Sequence, residues 1–194
     1  MHNRHLGFAL LAASGLALAA CSGDTAPSAT ASADVETAVV TTEPAAPSVD
    51  QALEDTDGLQ TIAEALKVTG IAGAFKGNGS YTLLAPEDDA FATLGDAGKD
   101  LIDSSDHAAL AALIRNHMLP GYVTPQDLGA AIDASGNGQV TLTTLGGSTL
   151  VFARSNDTIT VTAPDGSQAD LDGDPITGGS SLAVPITGVL RKID

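Results

Sequence analysis

The chain has no tryptophan, two tyrosines and four phenylalanines. Any core must therefore be built mainly from leucine, isoleucine, valine and alanine. It has one cysteine, Cys21, so no internal disulfide can form. Cations are also scarce: 8 Lys and Arg face 24 Asp and Glu, a formal net charge of -16. That surface repels a phosphate backbone, which excludes nucleic acid as a partner, and it repels anionic lipid headgroups in the same way. No Gly-x-Ser-x-Gly elbow occurs. His107 and His117 are the only histidines beyond the first five residues, too few with one cysteine for a zinc site. Gly77-x-Gly79 lacks a third glycine and precedes a strand, so it reads as a turn and not a phosphate loop. Asp170-x-Asp172-Gly173-Asp174 has a calcium-loop rhythm, but Pro175 stands where that pattern wants glycine. It reads as a solvated acidic turn. No metal, cofactor or catalytic residue is expected.

What is present begins with an export signal. His2, Arg4 and His5 form a weakly basic start, and Leu6 to Ala20 is apolar and small. That stretch is too short and too weakly flanked for a stable membrane span, and it matches a secretory signal peptide over residues 1–20. Leu18-Ala19-Ala20-Cys21 resembles the bacterial lipobox, in which cleavage precedes a cysteine that receives a diacylglycerol. The resemblance implies lipid attachment at Cys21 and a durable membrane tether, because two or three acyl chains anchor stably where one does not. Ser22 in place of Asp resembles an outer-membrane address if the cell is Gram-negative. The expected location is the cell envelope, periplasmic or at the surface.

Residues 21–48 hold the lipidated cysteine and a linker rich in Ala, Ser, Thr and Pro, with no lasting period of 2 or 3.6. Such a segment buries too little apolar surface to offset chain entropy and is expected to be disordered. It would span roughly 30 Å.

The folded domain is expected over 49–194. Its first half has helical spacing at Leu59, Ile62, Ala63 and Leu66, with Asp57 as N-cap and Gly70 as terminator. A short helical turn follows at Ile71 to Phe75, then a strand from Tyr81 to Ala85. A helix is expected from Pro86 through Leu94, with Glu87, Asp88 and Asp89 in its first turn. Asp106 is the expected cap of a helix carrying Leu110, Leu113 and Ile114. Asn116 to Leu119 reads as a strand. Thr124-Pro125 opens a further helix through Ile132. The second half alternates apolar residues with period two around Val140–Thr144, Leu150–Ala153 and Ile159–Thr162, separated by Gly and Asn/Asp turns. A last strand is expected over Ile186 to Ile193. Helices first and an antiparallel meander later make an α+β domain.

Tyr81-Thr82-Leu83-Leu84-Ala85-Pro86-Glu87-Asp88-Asp89-Ala90-Phe91 resembles the first signature of the fasciclin (FAS1) domain. Thr82, Ala85, Pro86, Asp88 and Phe91 match its pattern; Leu84 replaces the usual Phe and Glu87 the usual Thr. Leu113 to Gly121 resembles the central Leu-x-x-Tyr-His stretch, with His117 retained and Asn116 in the tyrosine position. The closing signature is eroded: Val184 stands for its His and Thr187 for its Asp. Together the ordered matches cover about 140 residues, from Leu59 onward. The resemblance implies a single antiparallel β-sandwich wedge flanked by helices, with Thr82, Ala85, Pro86, Asp88, Phe91 and His117 as structural motif positions. His117 is read as a structural hydrogen-bonding histidine. The closing His normally helps to order the last strand, so its loss should loosen it. Asn116 removes support for an animal-type receptor contact at that position.

The function this implies is adhesion or interaction without catalysis, toward an envelope protein or glycan. Two alternatives stand beside it: a carrier of an apolar small molecule such as a carotenoid, and a hydrolase.

Overall fold

The computed structural model describes residues 46–103 and 107–191. The leader, Cys21, most of the linker and Asp106 lie outside the described residues. The chain begins with α1 (Val49–Glu54) and α2 (Gln60–Val68), then a 3-10 turn at Ile71–Lys76. β1 (Tyr81–Pro86) leads into α3 (Asp88–Ala92), α4 (Gly95–Asp103) and α5 (His107–Asn116). β2 (Met118–Pro120) and α6 (Pro125–Ala134) complete the first half. The second half holds β3 (Gln139–Thr143), β4 (Thr149–Ser155), β5 (Thr158–Thr162), β6 (Gln168–Asp170), β7 (Ile176–Gly178) and β8 (Ser181–Ile186).

The strands form two four-stranded sheets, β2-β1-β8-β7 and β3-β4-β5-β6. Every pairing is antiparallel except β1 with β8, which runs parallel from Thr82↔Leu182 to Pro86↔Ile186. That parallel pair lies between two cores. Leu83, Ala85 and Ala183 face a cluster with the helices, including Leu53, Ile62, Leu66, Leu110, Leu113 and Phe91. Leu84, Leu182, Val184 and Ile186 face the second cluster, with Leu128, Phe152 and Val161 from α6 and the other sheet. Burial on both faces explains why β1 and β8 read as unbroken apolar runs. The meander has one face in water, so its strands alternate with period two.

The sheets are laced at one end. Leu171 bridges Ile186, Thr187 N–H donates to the Asp170 carbonyl at 3.0 Å, and the Asp170 N–H donates to Thr187 Oγ1 at 3.0 Å. The parallel register with β1 ends at Ile186 and the chain then crosses to β6. This corrects the expected last strand: β8 stops where that strand was placed to begin. Val189 and Leu190 are buried outside any strand.

Other local expectations shift for identifiable reasons. The N-cap of α2 is Leu59 and not Asp57, because the Thr61 N–H is taken by Asp88 Oδ1 from 27 residues away, at 2.8 Å. Pro86 ends β1 and does not start a helix. The parallel partner extends to it, Glu87 N–H donates to the Ile186 carbonyl at 3.1 Å, and Glu87 caps α3. Asn116 closes α5, and β2 begins only at Met118. Ser48, placed in the linker, is the N-cap of α1, and its N–H donates to Gln51 Oε1 at 3.1 Å. In α4 only Gly98 is buried, with Leu101 and Ile102 lying against the helical core. α6 opens as expected on Thr124, whose Oγ1 accepts from Asp127 N–H at 3.1 Å while the Asp127 carboxylate accepts from Thr124. Those bonds, the hydroxyl first, hold the Asp127 carboxyl below the ordinary range.

Candidate functional site

Three segments far apart in sequence converge on an open cleft of about 640 Å³. Thr56 to Leu59 come from the α1–α2 connection, Glu87 to Asp89 from the start of α3, and Asp172 to Asp174 from the β6–β7 loop. Leu59, Ile176 and Pro185 supply apolar walls. The motif residue Asp88 holds two of these segments together. Its N–H donates to the Gly58 carbonyl at 2.8 Å while its carboxylate caps α2 through Thr61. The third is fixed by Asp172 N–H donating to the Pro185 carbonyl at 3.0 Å.

Six carboxylates line this cleft: Asp57, Glu87, Asp88, Asp89, Asp172 and Asp174. Asp88 is spent on capping, and the Asp172 carboxylate accepts from the Gly173 N–H at 2.9 Å. Partial burial pushes the Glu87 carboxyl above the ordinary carboxylate range, and the negative charges of Asp172 and Asp89 push it further. A cation entering the cleft would relieve that repulsion. Among the described residues, no group of three or more His, Cys, Asp or Glu is placed to hold a metal ion. The acidic run at Asp170 to Asp174 does not close into a loop around one point. Asp170 accepts from Thr160 Oγ1 at 2.6 Å on the meander, whereas Asp172 and Asp174 line the cleft.

The remaining motif residues are placed elsewhere. Thr82 is fully buried; its hydroxyl donates to the Gly121 carbonyl and accepts from Val123 N–H, both at 2.8 Å. Ala85 and Phe91 pack in the helical core. His117 is buried, with Nδ1 2.9 Å from the Leu113 carbonyl and Nε2 accepting from Leu190 N–H at 2.9 Å. Since Leu190 must donate, the ring is neutral with its proton on Nδ1. Burial lowers its pKa to about 4, against the raising effect of the Leu113 bond. Both ring nitrogens are engaged by backbone, so neither is open to a substrate. His107 is exposed.

The eroded closing signature has a substitute. Val184 is buried in the second core, and the segment after β8, through Leu190, is held by the His117–Leu190 bond and by Thr187 bonding to Asp170. Asn116 accepts from the Ser148 hydroxyl at 2.9 Å and lies directly against Gly146, so it shapes the β3–β4 turn.

A family model described as the fasciclin domain matches residues 57–177. Among curated proteins, transforming growth factor-beta-induced protein ig-h3 of Sus scrofa is 28% identical over 146 residues, which cover 75% of this chain and 18% of that protein. The chain thus spans less than a fifth of that relative's length. Among solved structures, a FAS1 domain pair from the insect cell adhesion molecule fasciclin I matches with a TM-score of 0.46 and 15% identity, over 72% of this chain and 43% of that one.

Proposed function

This chain belongs to the fasciclin domain family, and from that premise we propose that it is a non-catalytic adhesion and interaction module that takes a basic, partly apolar segment of an envelope protein into its acidic cleft. The family acts mostly in adhesion and protein contact. The observation that carries the reading for this chain is the convergence of Asp57, Glu87, Asp89, Asp172 and Asp174 around apolar walls. A lysine or arginine side chain fits such a place: its stem covers Leu59, Ile176 and Pro185 while its charged head meets the rim. A neutral glycan would gain little from the carboxylates, and a carotenoid-like hydrocarbon would be poorly matched to them. The reading also keeps the tether, with diacylglycerol on Cys21 holding the domain outside the cytosol. That modification would appear as added lipid mass on chain extracted from membranes. A hydrolase has less support, since His117 is closed in by backbone on both sides.

The cleft is tested by titrating the full chain with a fluorescent acetyl-Lys-Leu-Lys-Leu-Lys-amide peptide. Glu87→Gln combined with Asp172→Asn removes two rim charges and should weaken binding about fivefold to tenfold, at about 0.5–0.7 kcal/mol each. Binding should also fall as salt rises. Equal affinity for wild type and the double variant, or indifference to salt, would refute the assignment.

A further inference from the structure

A second concavity, independent of the acidic cleft, has the opposite character. It measures about 330 Å³ and is lined by Thr69, Gly70, Ile71, Ala74, Arg115, Met118 and Leu145. No carboxylate lines it. In a chain with 24 acids against 8 bases that is a departure: the acidic cleft, the hydroxyl-lined hollow on the meander and two smaller hollows each carry at least one. Its one charge is Arg115, exposed in the last turn of α5, which makes no ion pair among the described residues.

The hollow is mixed in character, with Ile71 and Met118 buried beneath it and Leu145 exposed at its edge, and a bonded framework holds it open. Leu145 is 42% exposed and Val68, just before Thr69, is 38% exposed. Leu145 sits on a well-bonded turn: its N–H donates to the Met118 carbonyl at 2.8 Å, and Gly146 N–H donates to the Arg115 carbonyl at 2.9 Å. The turn is closed by Thr144 N–H donating to the Ser148 carbonyl at 2.8 Å and by the Ser148–Asn116 bond. Gly146 is required, since a Cβ there would strike the Asn116 amide. On the opposite wall Thr69 donates its hydroxyl to the Ala65 carbonyl at 2.7 Å, which fixes that rim. A surface fixed in this way loses little entropy when it is covered.

The geometry points to a docking site for a protein segment that carries one or two branched apolar side chains beside a carboxylate. Charge complementarity selects the carboxylate: Arg115 offers a planar, always-charged fork with no competing acid lining the groove. Size selects a peptide, because a hollow at the lower end of ligand pockets takes a pair of side chains and would leave most of a long acyl chain in water. The module therefore has two faces of opposite preference, a basic segment at the cleft and an acidic-apolar one here.

The test is a ¹H–¹⁵N titration of the full chain with acetyl-Asp-Leu-Leu-Asp-amide and its neutral counterpart acetyl-Asn-Leu-Leu-Asn-amide. The acidic peptide should saturate with a Kd on the order of 1 mM or tighter, with shifts centred on Ile71, Ala74, Met118 and Leu145. The neutral peptide should bind about fivefold more weakly. Arg115→Gln should erase that difference, and Leu145→Ser should weaken both peptides. Both side chains are exposed, so the variants should keep the fold, which the unshifted remainder of the spectrum checks. Equal binding of the two peptides, no saturation in the millimolar range, or shifts centred on the acidic cleft would each overturn the site.

Discussion

Lowering the pH from 8 to 4 is expected to remove about 3 kcal/mol of unfolding free energy through His117 alone. The imidazole is sealed between Leu113 and Leu190, and burial lowers its pKa from 6.5 to about 4. The unfolded chain takes up the proton near pH 6.5 while the folded chain refuses it. The contribution is therefore fully present above pH 6.5, is lost progressively as pH falls toward 4, and stops changing below that. Protonating Nε2 would also turn an acceptor into a donor facing the Leu190 N–H, so the buried end of the chain would lose its bond. Two carboxyls also shift: Glu87, raised by burial and by Asp172 and Asp89, works in the opposite direction, and Asp127, lowered by its bonds to Thr124, works in the same one at more acid pH. His117→Gln separates the histidine's share. Urea denaturation at pH 8 and pH 4 should show a wild-type loss larger than the variant's by about 3 kcal/mol. The ring's own NMR titration should stay flat until near pH 4. An ordinary midpoint near 6.5, or identical losses in the two proteins, would contradict it.

Thr82→Val should lower Tm by about 10 °C, an effect of about 2–3 kcal/mol. Valine has nearly the same shape, so packing changes little. What is lost is a hydroxyl that serves two backbone groups at once, the Gly121 carbonyl and the Val123 N–H. Both partners remain in the connection between β2 and α6 with that bond gone, and an unsatisfied buried group costs more than a formed bond returns. Thr82→Ser is the control. It keeps both bonds, removes one methyl, and should cost only about 1 kcal/mol. If serine proves as harmful as valine, the methyl packing and not the hydroxyl matters at this position.

The meander was legible because one face of each strand is wet, so Val140, Leu150, Phe152, Ile159 and Val161 stand out against polar neighbours. Gly70 was legible as a helix stop, since its φ of 74° suits glycine. Thr124-Pro125 was legible as a helix start because a capping box is local. β8 was misplaced because a strand buried on both faces has no alternation to mark its ends. Asp57 was a reasonable cap by spacing, but tertiary structure gave the role to Asp88. The acidic cleft left no local trace at all. Asp57, Glu87 and Asp172 lie in three separate stretches, and read singly as a helix cap, a first-turn acid and part of a solvated acidic turn.

From sequence alone followed the α+β class, the apolar runs that became the core, the ordered fasciclin motifs and the acidic surface. These are properties of composition, period and nearest neighbours, which a linear chain already carries. Only the tertiary structure decided that β1 and β8 pair in parallel, that Asp88 caps a helix 27 residues away, that His117 is neutral, and which acids share a cleft while Arg115 lines a groove without one. Each of these depends on burial and on contacts between distant segments, and those quantities exist only once the chain has closed on itself.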